Sequence, residues 1–181
     1  MRKFALCSAT ALLGLLAFPT PGRAQMGHGK PLSPPAKTEC KFSNGKTIHV
    51  NYSSPRMRGR KIFGGLVPYG KVWRAGANEA TTFDTDANLV VGGTDVPAGN
   101  YTLFTFPKLH SWKLIISKKT GEWGIPYPGA EYDFARIPMK LSKLPSPLED
   151  FTIHFGQTGE ACTMDLDWAT TRASIKISEK K

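Results

Sequence analysis

An all-β fold follows from three features of this sequence. Apolar residues alternate with polar ones along short runs, Gly, Pro and Asn-Gly signals punctuate those runs, and no window of helical length keeps apolar residues three and four apart. Together they predict a single antiparallel β-sandwich or jelly-roll-like domain with long Gly/Pro-rich loops. The chain has 181 residues, enough for one ordinary domain. No internal repeat is present.

The opening stretch "MRKFALCSATALLGLLAFPTPGRAQ" lies outside that domain. Arg2 and Lys3 start it, an apolar run covers Phe4 to Phe18, and Pro19 and Pro21 end the run. Gly22-Arg23-Ala24 puts small residues where a signal peptidase reads, so residues 1–24 are expected to be a cleaved secretory signal. The run falls short of the ~20 apolar residues that span a bilayer. Cys7 precedes the run, which argues against a lipoprotein. The expected location is periplasmic or secreted, with no stable membrane insertion after cleavage. Residues 25–37, "QMGHGKPLSPPAK", show no periodicity and read as a flexible linker. The β domain is expected over 38–181.

The strands follow in order. "CKFSNGKTIHVNYS" is two alternating runs around Asn44-Gly45, a hairpin signal, with Ile48, Val50 and Tyr52 on one face. "ATTFDTDANLVVGG" and "NYTLFTFP" flank the turn "TDVPAGN". "SWKLIIS" aligns Trp112, Leu114 and Ile116, and "ARIPMKL" aligns Ala135, Ile137, Met139 and Leu141, with Pro138 suggesting an edge. "FTIHF" aligns Phe151, Ile153 and Phe155. "CTMDLDW" aligns Cys162, Met164, Leu166 and Trp168 and turns Asp165 and Asp167 outward, and "ASIKIS" closes the chain.

Signal cleavage would remove Cys7 and leave Cys40 and Cys162 in a compartment that permits disulfides. Each sits on a strand-like run beside apolar residues of its own parity, so the two are expected to bridge the first and last strands. Closing so long a loop stabilises by ~4–5 kcal/mol in the chain-entropy description. Two separate buried thiols are the alternative. Neither cysteine belongs to a CxxC or a His-spaced cluster, which leaves catalytic and metal roles without a motif.

The formal charge is +10, and cleavage would take three positive charges and no acid from it. A basic exterior favours anionic partners. Lys and Arg are scattered apart from "SPRMRGRK", and no nucleic-acid motif occurs. His49, His110 and His154 lie on different runs, and no zinc spacing, phosphate loop or Ser-His-Asp pattern marks a cofactor or metal site.

The stretch "SPRMRGRKIFGGLVPYGKVWRAGANEATTF", followed by "VPAGNYTLFTFP", "WKLIISK", "EWG" and "YDFAR", closely resembles the bacterial domain-of-unknown-function family 2911. The likeness runs from about Tyr52 to the final strand. It implies a secreted β-rich domain. It also implies that Gly59, Arg60, Lys71, Trp73, Arg74, Gly76, Asn78, Glu79 and Thr81 belong to the family's signature.

Two clusters are candidate ligand-binding sites. In the first, Arg60, Trp73, Arg74, Asn78 and Glu79 sit among glycines. Arg74 offers a planar fork for carboxylate or phosphate. Alternatively these side chains satisfy the backbone of a loop crossing between strands while Trp73 plugs the core. The structural role is the expected one, with Arg74 buried against Glu79. In the second, "GEWGIPYPGAEYDFAR", Trp123, Tyr132, Asp133 and Arg136 combine aromatic faces with polar groups, as a sugar or peptide platform requires. The chain therefore reads first as a non-enzymatic binding or interaction module of the envelope, with no catalytic residue assigned. Its expected partner is a small molecule, a glycan or an envelope protein. The alternative is a hydrolase or lyase using Glu79 and Asp133 with Arg74. One outcome is immediate: expressed with its own leader, the protein should accumulate without residues 1–24, which intact mass spectrometry reads directly.

Overall fold

The computed structural model describes residues 32–158 and 160–181. The signal-peptide reading lies outside these residues. Nine strands form within them: β1 Pro35–Lys41, β2 Thr47–Ser53, β3 Thr81–Thr85, β4 Leu89–Val91, β5 Thr94–Val96, β6 Gly99–Pro107, β7 Trp112–Ser117, β8 Asp133–Thr158 and β9 Ala161–Glu179. A 3-10 turn at Ala130–Tyr132 is the one helical element among the described residues. Every strand pair is antiparallel, and the lateral order is β1-β2-β3-β6-β7-β8-β9-β4-β5. The expected all-β antiparallel class is present, as one continuous hydrogen-bonded order. β1 begins at Pro35, so the end of the stretch read as linker is already sheet. No helix of the described residues is long and apolar enough to cross a membrane.

The local chemistry explains most of the pattern. Asn44-Gly45 closes the β1–β2 hairpin through Phe42 N–H to Lys46 O at 2.8 Å and Lys46 N–H to Asn44 Oδ1 at 3.1 Å. The stretch read as one run from Ala80 to Gly93 divides into β3 and β4. Thr85 Oγ1 donates to Ala87 O and accepts from Ala87 N–H, both at 3.1 Å, and Asp86 Oδ1 accepts Thr47 N–H at 2.6 Å. Such side-chain turns compete with a continuing ladder. β3 therefore stays between β2 and β6, while β4 leaves to pair with β9.

β8 and β9 fuse runs that read as separate strands. Lys143 pairs with Thr171, yet Thr152 pairs with Asp167, so β8 spends more residues than β9 across the intervening break. Pro145 and Pro147 stand in that break and cannot donate to a ladder. On β9, Ala169 adopts φ 52 opposite it. The inward parity of β9 changes there, from Cys162, Met164, Leu166 and Trp168 before it to Ala173, Ile175 and Ile177 after it. A bulge does this because side chains alternate with period two. Pro138 is interior to the lateral order rather than on an edge strand. It pairs with Lys113 of β7, and the β8–β9 ladder starts only at Lys140.

The bend returns the far end of the sheet over β1 and β2. Ile153 N–H donates to Tyr52 Oη at 3.1 Å, Ser54 Oγ donates to Phe151 O at 2.7 Å, and Phe151 N–H reaches Pro55 O at 2.8 Å. Cys40 and Cys162 form a disulfide across this closure, with Cα atoms 6.5 Å apart. The enclosed core draws on all nine strands, including Cys40, Val50, Phe83, Leu103, Leu114 and Ile153. Burial of each large apolar side chain contributes about 1.5–3 kcal/mol. A second cluster, Ala80, Phe104 and Ile115, lies on the opposite face of β6 and β7 under Val72 and Tyr127. Two covered faces account for the unbroken apolar runs in "YTLFTF" and "KLII".

The double variant Cys40→Ser/Cys162→Ser should lose about 2–5 kcal/mol. For a domain of this size that lowers the melting temperature by roughly 10 °C. A melt unchanged by substitution or reductant would show that the strand contacts alone close the sheet.

Candidate functional site

The link from β2 to β3, residues 54–80, crosses the open end of the core without becoming a strand. Trp73 anchors it. Trp73 N–H donates to Thr105 O and Thr105 N–H donates to Trp73 O, both at 2.8 Å, so one residue extends the β3 row beside β6. Its indole stacks on Trp168 at 5.7 Å and 20° and meets Phe151 edge-on at 4.9 Å. Trp73 Nε1 donates to Gly76 O at 3.2 Å. A Cβ on Gly76 would lie 3.1 Å from both Ser53 O and Thr81 Oγ1, so only glycine sits there without displacement. Asn78, at φ 56, donates from Nδ2 to Ser33 O at 3.2 Å and Ser53 Oγ at 3.1 Å. Trp73 and Asn78 thus fill the structural roles expected of this loop.

Arg74 differs from expectation. Glu79 is exposed, and among the described residues no ion pair within 4.0 Å joins it to Arg74. The left-handed turn at Asn78 reverses the chain, and Ala80 N–H is held by Glu122 O at 3.0 Å, which leaves Glu79 facing solvent between them. Arg74 instead donates from Nη1 to Trp123 O at 3.0 Å, with its guanidinium carbon 5.7 Å from the Trp123 ring centre. Gly124 makes this possible. At φ +82, a Cβ there would stand 2.9 Å from the Cβ atoms of Arg74 and Ala80. Burial lowers the proton affinity of Arg74 below the ordinary arginine value, and the charge of Glu79 offsets part of that from a distance. Arg60 is exposed and braces its own turn, donating from Nε to Met57 O at 2.9 Å and from Nη2 to Arg56 O at 2.6 Å.

In the second loop, Asp133 has both oxygens engaged. Oδ1 accepts the Tyr127 hydroxyl and Oδ2 accepts Arg136 Nε at 2.6 Å, while Arg136 Nη2 donates to Tyr127 Oη at 3.2 Å. Burial first, then the bond to Asp133, pushes the Tyr127 hydroxyl up to about 12. Tyr127 therefore keeps its proton at neutral pH. Its ring lies edge-on to Phe104 at 5.2 Å and pins the loop to the sheet. Because the folded value exceeds the unfolded 10.0, this stabilisation is complete below pH 10 and fades as pH rises through about 12. Asp133 is a clamp, each of its oxygens tied to a partner within its own loop. Tyr132 carries Lys119 Nζ 5.1 Å over its ring, on the exterior.

Three of the nine candidate residues, Arg60, Trp73 and Arg74, line one pocket of about 260 Å³, together with Leu66, Ile125 and Trp168. Trp123, 54% exposed, flanks it through Arg74, and Ile125, 64% exposed, overhangs it. Glu79, Asp133 and Arg136 are not among its lining residues. Asp133 is instead held by Tyr127 and Arg136, and Glu79 is exposed to solvent.

Residues 33–177 match a family model described as "Protein of unknown function (DUF2911)". The chain belongs to the DUF2911 family. No curated protein and no solved structure gives a match. In this DUF2911 chain, the pocket is built at the signature stretch that carries the resemblance.

Sequence reasoning missed a second polar cluster. Asp165 and Asp167 lie on the outer face, as parity requires, yet are only 8% and 3% exposed. Arg172 covers them, with Nη2 2.5 Å and Nε 2.8 Å from the Asp167 oxygens and Nη1 3.8 Å from Asp165. Ser174 donates to Asp165 at 2.5 Å, and His154 Nε2 lies 3.1 Å from Asp167. The bulge at Ala169 puts odd-numbered acids and even-numbered Arg172 on one face. The signal was readable as the change in apolar parity between "CTMDLDW" and "ASIKIS".

Arg172→Ala should remove both charge-assisted bonds to buried Asp167 and cost about 1.5–3 kcal/mol. Glu79→Ala should melt within about 0.5 kcal/mol of wild type, and Arg74→Ala should lose only about 1 kcal/mol with its carbonyl bond. Parallel thermal melts check all three, and a sharp loss in Glu79→Ala would restore the buried pair.

Proposed function

We propose that this domain is an exported, non-catalytic binding module of the cell envelope whose ligand is a small organic anion with an apolar or aromatic body. The observation that carries the reading is Arg74. A guanidinium has five donors. Here one side-chain bond, to Trp123 O, is accounted for, and among the described residues no carboxylate lies within 4.0 Å. That partly desolvated cation faces a pocket floored by stacked Trp73 and Trp168 and rimmed by Leu66 and Ile125. Arg60 adds a second cation, and among the described residues no acid lines the space. Charge-assisted bonds in such a site are stronger than neutral ones.

The fixed backbone supports binding over chemistry. Trp73 is tied to β6 on both backbone groups, and Gly124 packs Arg74 from above. At about 260 Å³ the pocket falls just below the usual range of drug-sized sites, about 300–1,000 Å³, which points to a single ring or short chain. Export is supported by the signal-like leader and by a disulfide between residues 122 positions apart, since oxidising compartments maintain such bonds.

Titration of tryptophan fluorescence with benzoate, phenyl phosphate and hexanoate tests the reading. At least one should bind with a dissociation constant of about 1 mM or tighter. Arg74→Gln should weaken that binding by about tenfold or more while melting close to wild type. Absence of binding for all three, or equal binding by Arg74→Gln, would defeat the proposal.

A further inference from the structure

Behind the same aromatic cluster lies a second pocket of about 320 Å³ with a different chemistry. Phe63 divides the two. Its ring meets Trp73 at 6.4 Å and Trp168 at 6.2 Å on the anion-pocket side, and Trp112 at 4.7 Å on the other. We propose that this second pocket binds a neutral saccharide.

Its apolar surface is a fixed aromatic platform. Tyr69 is 38% exposed, and its ring lies so close to Gly64 that a Cβ there would stand 2.7 Å from it. The ring is thereby held without the entropy cost of ordering a free side chain. An aromatic face held open in this way suits the C–H face of a pyranose ring.

The polar surface is uncommitted. His110, Ser142, Thr170 and Thr171 converge on the pocket. Among the described residues none of their side chains is engaged in a hydrogen bond within the chain, unlike those of the Asp133 and Asp165–Asp167 clusters. Three hydroxyls and an imidazole can each donate or accept, which matches sugar hydroxyls. Among the described residues, Lys143 is the one Lys, Arg, Asp or Glu that lines it. With one lysine against the two guanidiniums of the anion pocket, hydroxyls and aromatic faces make up most of this lining, which suits a neutral, hydroxyl-rich ligand. The β9 bulge at Ala169, φ 52, immediately precedes Thr170 and Thr171, and non-glycine residues in that conformation concentrate at functional sites.

The volume suits a disaccharide-sized unit, at the small end of ligand pockets of about 300–1,000 Å³. The proposal is independent of the anion reading, because it uses different lining residues. Cellobiose, maltose and N,N′-diacetylchitobiose are the probes, titrated into the isotope-labelled full-length mature protein and followed by amide NMR. At least one should shift the His110 and Thr171 signals saturably, with a dissociation constant of about 10 mM or tighter. Tyr69→Ala and the near-isosteric Thr171→Val should each weaken that binding by about fivefold or more, while Arg74→Gln leaves it unchanged. Thr171→Val carries the test if Tyr69→Ala perturbs folding. No shift with any of the three sugars would overturn the proposal. So would unchanged binding by Thr171→Val, or loss of binding in Arg74→Gln, which would place the sugar in the other pocket.

Discussion

The architecture depends on one bend, where the β8–β9 hairpin breaks register opposite Ala169. Without it, a ladder of this length would run straight and present a single inward parity along β9. With it, the near half of β8 joins β7 while the far half crosses β1 and β2, and the apolar set of β9 changes from even to odd positions. A one-residue slip moves every following side chain to the opposite face, so the bulge and the altered hydrophobic pattern require each other. The disulfide then fixes the closure that the bend brings about.

The aromatic cluster at the open end joins fold to site. Phe63, Trp73, Phe151 and Trp168 bury area against one another in edge and stacked geometries, which add about 0.5–1.5 kcal/mol per pair beyond burial. Two of these rings, Trp73 and Trp168, line the Arg74 pocket. Trp73 belongs to both core and pocket: its indole packs on Trp168 and Phe151, and the residue remains partly accessible where it lines the pocket.

Charge placement separates what is committed from what is free. Asp133, Asp165 and Asp167 are spent on Tyr127, Arg136, Arg172 and Ser174, because a buried carboxylate needs paired donors. Glu79 stays in water, where it needs none. Arg74 is the exception, a partly buried cation whose side-chain bond is to a carbonyl. Chemistry at the pocket therefore centres on the guanidinium rather than on a carboxylate base.

Sequence alone determined the all-β class, the Asn44-Gly45 hairpin and the inward faces of the main strands, and it favoured the Cys40–Cys162 pairing over two free thiols, which the structure decided. Period-two alternation and turn residues are local properties, and the two cysteines shared a parity with apolar neighbours. It also marked the Trp73–Arg74 stretch. The tertiary structure decided what local pattern does not encode. Arg74 reached for the carbonyl of Trp123, 49 residues on, instead of Glu79, five residues on, because Asn78 and Ala80 are held by contacts distant in sequence. Two runs became one strand because β9 pairs with both, on either side of the register break. The pocket forms where Trp168, read as core, meets Trp73 across the open end of the core. Proximity in the chain sets which partners are offered first, but packing and backbone satisfaction choose among them.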